Sequence, residues 1–273
     1  MISILLLHAS ILGLAVASGL GFVAVRRQSE GPLQGARLLA GVAALLVVAV
    51  LVRRGIDIGK PPLVSSFDTH LVVSVLLLLA ALGIDLLRAL PIMTIGALPL
   101  ALVSIILAAA TGEPHDPSAP FAATPVAGVH AVLILFSYVA FAVAFVTSLL
   151  YLIEQRQLKA HAAPAALGMM PSLETSYRMT LRAVTVGVVL LTGGILAGYL
   201  YGRQVLVPGS GWRMDAKIIV TTAVWAAFLV VALLSSVPSF KGRRTALGAA
   251  LCFMVSMAAS WVASFWSDFH KHL

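Results

Sequence analysis

The chain has 273 residues, of which 60% are hydrophobic and only 10% are charged, and its mean hydropathy is +1.04. A typical soluble domain carries about 25% charged residues, so this composition excludes a soluble globular protein and indicates a polytopic membrane protein. The net charge of +8 comes from Lys and Arg in many short loops, which fits orientation in a bilayer and argues against nucleic acid as a partner. The single cysteine, Cys252, excludes a disulfide framework and CxxC or CxxCH motifs.

Eight apolar runs are long enough to cross a bilayer, because a crossing takes about 20 apolar residues as a helix. The first run is followed, not preceded, by Arg26 and Arg27, so it predicts a spanning helix and not a signal peptide. The predicted spans are residues 2–25, 36–52, 70–87, 90–110, 129–153, 183–201, 218–234 and 246–266. The sequence therefore predicts an all-α fold in which residues 1–273 form a single integral membrane helical-bundle domain.

The basic residues predict the orientation of this bundle, because cytoplasmic loops carry an excess of Lys and Arg. With the spans alternating in direction, one set of loops and helix ends carries eleven of these residues and the other set carries seven. We therefore expect the N-terminus and the C-terminus both on the outer, periplasmic side of a bacterial inner membrane.

Several local features follow along the chain. The second span is short, and Arg53 and Arg54 at its end are expected to extend to the outer interface. Asp85 stands three residues before Arg88, a spacing that permits a local ion pair. Pro99, inside the fourth span, predicts a kink.

The long inner connection, residues 155–182, ends in a segment where Ser172 or Thr175 is suited to cap a helix. We expect that helix to be an amphipathic lead-in at the membrane surface. In the sixth helix Gly194, Gly198 and Gly202 recur every fourth residue and form a face without side chains. That face has two interpretations: close helix packing, which we favour, or room for a flat ligand.

The histidines form the most informative group in the sequence. Six of the seven fall at or near the outer face under the predicted topology, and only His161 falls in an inner loop. Neutral imidazole suits transition metals and haem iron, and ionisable groups at membrane depth are candidates for function. The six are His8, His70, His115, His130, His270 and His272.

A polar loop between the sixth and seventh spans, residues 209–217, is also predicted on the outer side. Its Trp212 offers a surface for stacking, Arg213 and Lys217 offer positive charge, and Asp215 offers hydrogen bonds that hold the loop. Together with the histidines, these groups match what a haem with two propionates requires. Trp212 alone is also explained as an interface tryptophan.

The chain resembles the cytochrome c assembly family of polytopic haem-handling proteins, and within it the HemX and YpjD-like branch. The resemblance covers roughly residues 65–270 and rests on four segments: 129–138, which begins Val-His-Ala and ends Ser-Tyr; 172–175; the glycine-rich sixth helix; and Trp212 to Lys217 followed by Trp225. The loop departs from the family pattern, because Ala216 stands where proline is usual and Ile218 where glutamate is usual.

The resemblance implies a binding role for particular residues. It implies non-covalent haem b, with His130 and His270 as axial ligands of the iron and His70 as a ligand deeper in the bundle. Trp212 would form a stacking wall, Arg213 and Lys217 would contact the propionates, and Asp215 would hold the loop. Expected partners are the lipid bilayer and other membrane proteins of cytochrome c biogenesis or of a haem pathway.

Two other classes of function remain open on the sequence. One is a regulatory or assembly factor of haem metabolism that acts through protein contacts without bound haem, and the other is a small-solute transporter. We expect no enzymatic activity, since the sequence shows no nucleophile and base pair, phosphate loop, HExxH or paired carboxylates. No catalytic residue is therefore assigned.

Overall fold

The computed structural model describes residues 2–59, 61–63, 65–112, 124–159, 171–205 and 214–266. Within these ranges the protein is all-helical, and eight helices are long and apolar enough to cross a membrane, as the sequence predicted. A short 3-10 helix, Pro238–Phe240, lies between the last two. The eight are α1 (Ile2–Arg27), α2 (Glu30–Ile58), α3 (Ser66–Arg88), α4 (Pro91–Thr111), α5 (Pro125–Lys159), α6 (Leu173–Val205), α7 (Ala216–Leu234) and α8 (Arg243–Trp266).

The chain divides into two compact units. The first comprises Met1–His115 and Leu150–Ser176, and so contains α1 to α4 with the end of α5. The second comprises Asp116–Leu149 and Tyr177–Leu273, and so contains most of α5 and α6 together with α7 and α8.

Small residues allow close approach of helices in the first unit. A side chain at Gly35 of α2 would meet Leu20 of α1 at 3.1 Å, and one at Gly21 of α1 would meet Ile95 of α4 at 3.2 Å. Lipid tails are as apolar as leucine, so spanning helices associate through such close packing and through polar contacts. The glycines therefore fix α1 against both α2 and α4.

Helix α2 is longer than predicted, and the side chain of Arg54 near its end is buried instead of extending outward. Arg54 is only 6% exposed and forms an ion pair with Asp68 of α3. The expectation that Arg54 extends to the outer interface is therefore wrong, because a buried carboxylate on the next helix binds it. The neighbouring Arg53 is exposed and pairs one turn away with Asp57 at 3.1 Å.

The ion pair expected between Asp85 and Arg88 is replaced by a contact between helices. The Asp85 carboxylate, fully buried, accepts hydrogen bonds from Arg37 Nη2 at 2.5 Å and Nε at 2.9 Å. Thr94 of α4 donates a third hydrogen bond to it at 2.7 Å. Arg37 belongs to α2, so Asp85 joins three helices, and the local pair with Arg88 was the wrong prediction.

The second unit is built around Phe141 of α5. Its ring is fully buried and stacks on Phe228 of α7, with ring centroids 3.7 Å apart. Gly187 of α6 lies so close to that ring that a side chain at this position would overlap with it. Phe145, one turn later, stacks on Phe253 of α8 at 4.9 Å. Two aromatic rings of α5 thus hold it against the other helices of this unit.

Helix α6 begins earlier than the predicted sixth span. Ser172 caps it, because its hydroxyl accepts a hydrogen bond from the Thr175 amide at 3.3 Å. The chain then continues as one helix of 33 residues from Leu173 to Val205. The expected surface lead-in is therefore the first part of α6 and not a separate helix, and Ser176 and Thr180 within it are fully buried.

Candidate functional site

His130 lies in the second turn of α5, close to the start of that helix. Thr124 precedes the helix, and its hydroxyl accepts a hydrogen bond from the Ala127 amide at 3.2 Å. Its carbonyl accepts another from the Gly128 amide at 3.2 Å. These bonds satisfy amides that the first turn of a helix leaves without partners, and they define where α5, which carries His130, begins.

The imidazole of His130 is held by the backbone of α6. Its Nδ1 lies 2.8 Å from the carbonyl oxygen of Gly194. A carbonyl only accepts hydrogen bonds, so Nδ1 carries the proton in this contact and the neutral ring keeps its lone pair on Nε2. A histidine that donates from one ring nitrogen to a carbonyl is oriented and made more basic at the other, as in many metal-ligating histidines.

The glycine face of α6 is filled by side chains of α5. A Cβ atom at Gly198 would lie 2.6 Å from His130 Nδ1, and one at Gly194 would lie 2.8 Å from the end of the Ile134 side chain. Both distances are shorter than ordinary van der Waals contact. Of the two interpretations of this face, the structure therefore favours close helix packing at Gly194 and Gly198.

The start of α7 holds two of the predicted site residues. Asp215 is the N-cap, 6% exposed, and its Oδ1 accepts a hydrogen bond from the backbone amide of Lys217 at 2.9 Å. This bond fixes the first turn of α7 and so the position of Lys217, the second residue of the helix. Lys217 is half-buried, whereas Met214, just before the cap, is 79% exposed.

His70 lies in the first unit, near the start of α3. That helix begins with a capping box in which Ser65 and Asp68 exchange hydrogen bonds of 3.1 Å. The backbone carbonyl of His70 accepts a hydrogen bond from Ser104 of α4 at 2.8 Å. The backbone at His70 is therefore held by α4 as well as by its own helix.

The structure thus describes four of the seven predicted site residues. His130, Asp215 and Lys217 belong to the second unit and His70 to the first. Trp212, Arg213 and His270 lie outside the described residues. His130 is held by α6, whereas Asp215 binds the backbone of its own helix.

Tyr201, near the end of α6, was not among the site residues predicted from the sequence. Its side chain is 8% exposed, and its hydroxyl has no hydrogen-bond partner among the described residues. A tyrosine near the end of a span is ordinarily explained as an interface aromatic, which accounts for the omission. The available signal was its spacing, because Tyr201 follows Gly194 by seven residues and so shares its face of the helix.

The eight spans define a multi-pass helical membrane protein. The chain belongs to the cytochrome c assembly protein family, since the family model described as "Cytochrome C assembly protein" matches residues 63–270. This match confirms the resemblance predicted over roughly residues 65–270.

Two relatives are similar to the chain to different extents. The cytochrome c biogenesis protein CcsA of Synechococcus sp. (strain CC9605) is 27% identical over 270 residues, an alignment that covers 89% of this chain and 86% of that protein. Protein HemX of Brevibacillus brevis is 30% identical over 99 residues. The match to HemX covers 36% of each chain, so this chain spans about a third of the length of that relative.

Proposed function

We propose that this protein binds haem b non-covalently at the outer face of a bacterial inner membrane and serves cytochrome c biogenesis. Membership of the cytochrome c assembly family supports a haem-handling role. The chain is proposed to bind and present haem without itself catalysing a reaction. Its proposed partners are the lipid bilayer and other membrane proteins of cytochrome c biogenesis or of a haem pathway.

One observation carries the proposal. The Nδ1 of His130 is bonded to the Gly194 carbonyl at 2.8 Å, which leaves Nε2 as the basic nitrogen of a ring already fixed against α6. Neutral imidazole with a free nitrogen is the usual protein ligand of haem iron. His130 therefore fits one axial position, and a fixed ring loses little freedom when it binds the metal.

The remaining residues are assigned on the family resemblance. We propose His270 as the second axial ligand, Trp212 as a wall on which the porphyrin stacks, and Arg213 and Lys217 as partners of the propionates. Asp215 would act through its cap of α7, which fixes the backbone that carries Lys217. His70, in the first unit, is the proposed ligand deeper in the bundle.

Replacement of His130 tests the assignment. The His130→Gly variant is expected to lose the Soret absorbance of bound haem, or to change it to that of an iron with one ligand fewer. Imidazole added in solution should restore the original spectrum, because it supplies the missing nitrogen. A merely structural histidine would not show this rescue. His8→Ala is the matched control, since His8 is exposed and its Nδ1 bonds within its own helix, 2.7 Å from the Ile4 carbonyl.

The paired variant His130→Ala with His270→Ala decides between the candidate ligands. We expect it to abolish ordered haem binding. A Soret band unchanged in this double variant would show that the ligands are elsewhere, at His8 or His70, and would contradict the assignment.

A further inference from the structure

The hydroxyl of Tyr201 is buried without a hydrogen-bond partner among the described residues. Its whole side chain is 8% exposed. Buried polar groups in folded proteins are nearly always hydrogen-bonded, and one that lacks a partner destabilises the fold. Such a group is therefore a candidate for contact with something other than the described residues.

The position of Tyr201 relates it to His130. Residues separated by four and seven positions share one face of a helix, so Gly194, Gly198 and Tyr201 form one stripe along α6. Gly194 packs against Ile134 of α5, and Gly198 packs against His130 of α5. Tyr201 lies beyond them by one turn, about 4.5 Å farther along the axis than Gly198, toward the end of α6. Its phenol thus belongs to the same stripe as the contacts that hold the proposed ligand.

A second tyrosine in the same turn shows that this environment is particular to Tyr201. Tyr199 is 42% exposed, and the guanidinium of Arg203 lies 6.0 Å from the centroid of its ring. The two side chains have the same chemistry on one helix but differ in burial. Tyr199 is therefore a matched control for the removal of a phenol oxygen.

We propose that the Tyr201 hydroxyl donates a hydrogen bond to a propionate carboxylate of the bound haem. The inference rests on the proposed function, because it presumes that haem binds beside His130. A phenol is a good donor to a carboxylate, and such charge-assisted bonds are about twice as strong as neutral ones. A neutral donor would also add no further charge beside the proposed cationic partners of the propionates.

The test compares haem with haem dimethyl ester, in which both propionates are esterified. We expect Tyr201→Phe to weaken haem binding by about tenfold or more, since a hydrogen bond to a charged group is lost. The loss of affinity for the ester should be clearly smaller than the loss for haem, because an ester carbonyl accepts only a neutral and weaker hydrogen bond. Tyr199→Phe should bind both ligands as wild type does. The Soret maximum should stay in place in Tyr201→Phe, because His130 still binds the iron.

A stability measurement separates this role from a structural one. The ligand-free Tyr201→Phe protein should melt at the same temperature as wild type or higher, since the substitution removes an unpartnered polar atom. Equal haem affinity for wild type and Tyr201→Phe would overturn the inference and leave the proposed function intact. An equal loss of haem and ester affinity, or a shifted Soret maximum, would also overturn it. Failure of wild type to bind haem would instead overturn the proposed function.

Discussion

At the residue scale, partners from other helices decide what each polar side chain does. Asp85 binds Arg37 and Thr94, and Arg54 binds Asp68. From the sequence we predicted an ion pair between Asp85 and Arg88, three residues away. We also predicted that the Arg54 side chain extends to the membrane interface. Sequence spacing shows only neighbours along one helix, whereas a buried carboxylate is paired with whichever cation the fold brings to it.

Removing one partner of the buried ion pair of Arg54 should destabilise the protein more than removing one partner of the exposed pair beside it, because it leaves a buried charge uncompensated. Asp68→Asn removes the negative charge that faces a 6% exposed arginine and should lower the free energy of unfolding by about 3–5 kcal/mol. Asp57→Asn, which breaks the half-exposed pair with Arg53, should cost about 0–1 kcal/mol. Denaturant titration of both variants in detergent checks this. Equal losses of stability would show that burial does not distinguish the two pairs.

At the element scale, the contact of α5 with α6 depends on glycine. Gly198→Ala would place a Cβ atom 2.6 Å from His130 Nδ1 and so force the ring or the helices apart. We expect a loss of about 1–3 kcal/mol in stability and a weaker haem spectrum. Gly193→Ala is the control, because its Cβ would meet only the end of Leu133 at 3.2 Å, which can shift slightly. A Gly198→Ala protein with wild-type stability and spectrum would contradict this account of the helix contact.

The sequence predicted all eight helices, because a bilayer crossing requires a long apolar run and leaves a clear pattern. The sequence predicted His130 as a candidate ligand but not its bond to Gly194. Every residue carries a backbone carbonyl, so the residue types do not show which carbonyl a histidine of another helix will bind. The repeat of Gly194 and Gly198 did predict a close contact. The sequence did not decide whether Tyr201 is buried, because its spacing from Gly194 places it on the glycine face whereas a tyrosine near a span end suits an interface equally well.

At the scale of the whole molecule, the proposed role depends on which side of the membrane each loop occupies. The excess of Lys and Arg predicts that the connection between α2 and α3 faces outward and that the connection between α7 and α8 faces inward. Single cysteines can be introduced as Pro61→Cys and Ser239→Cys, both at exposed positions, in a protein that also carries Cys252→Ala. A membrane-impermeant maleimide added to intact spheroplasts should label the first and not the second. The reverse pattern would invert the topology and place His130 at the inner face.

The most direct test of the central claim is the absorbance spectrum of the purified wild-type protein, before and after addition of haem. We expect a Soret band whose intensity saturates at one haem per protein, with a reduced spectrum typical of iron held by two nitrogen ligands. Absence of any Soret band even after haem is added would contradict haem binding. It would favour a membrane factor that acts through protein contacts alone.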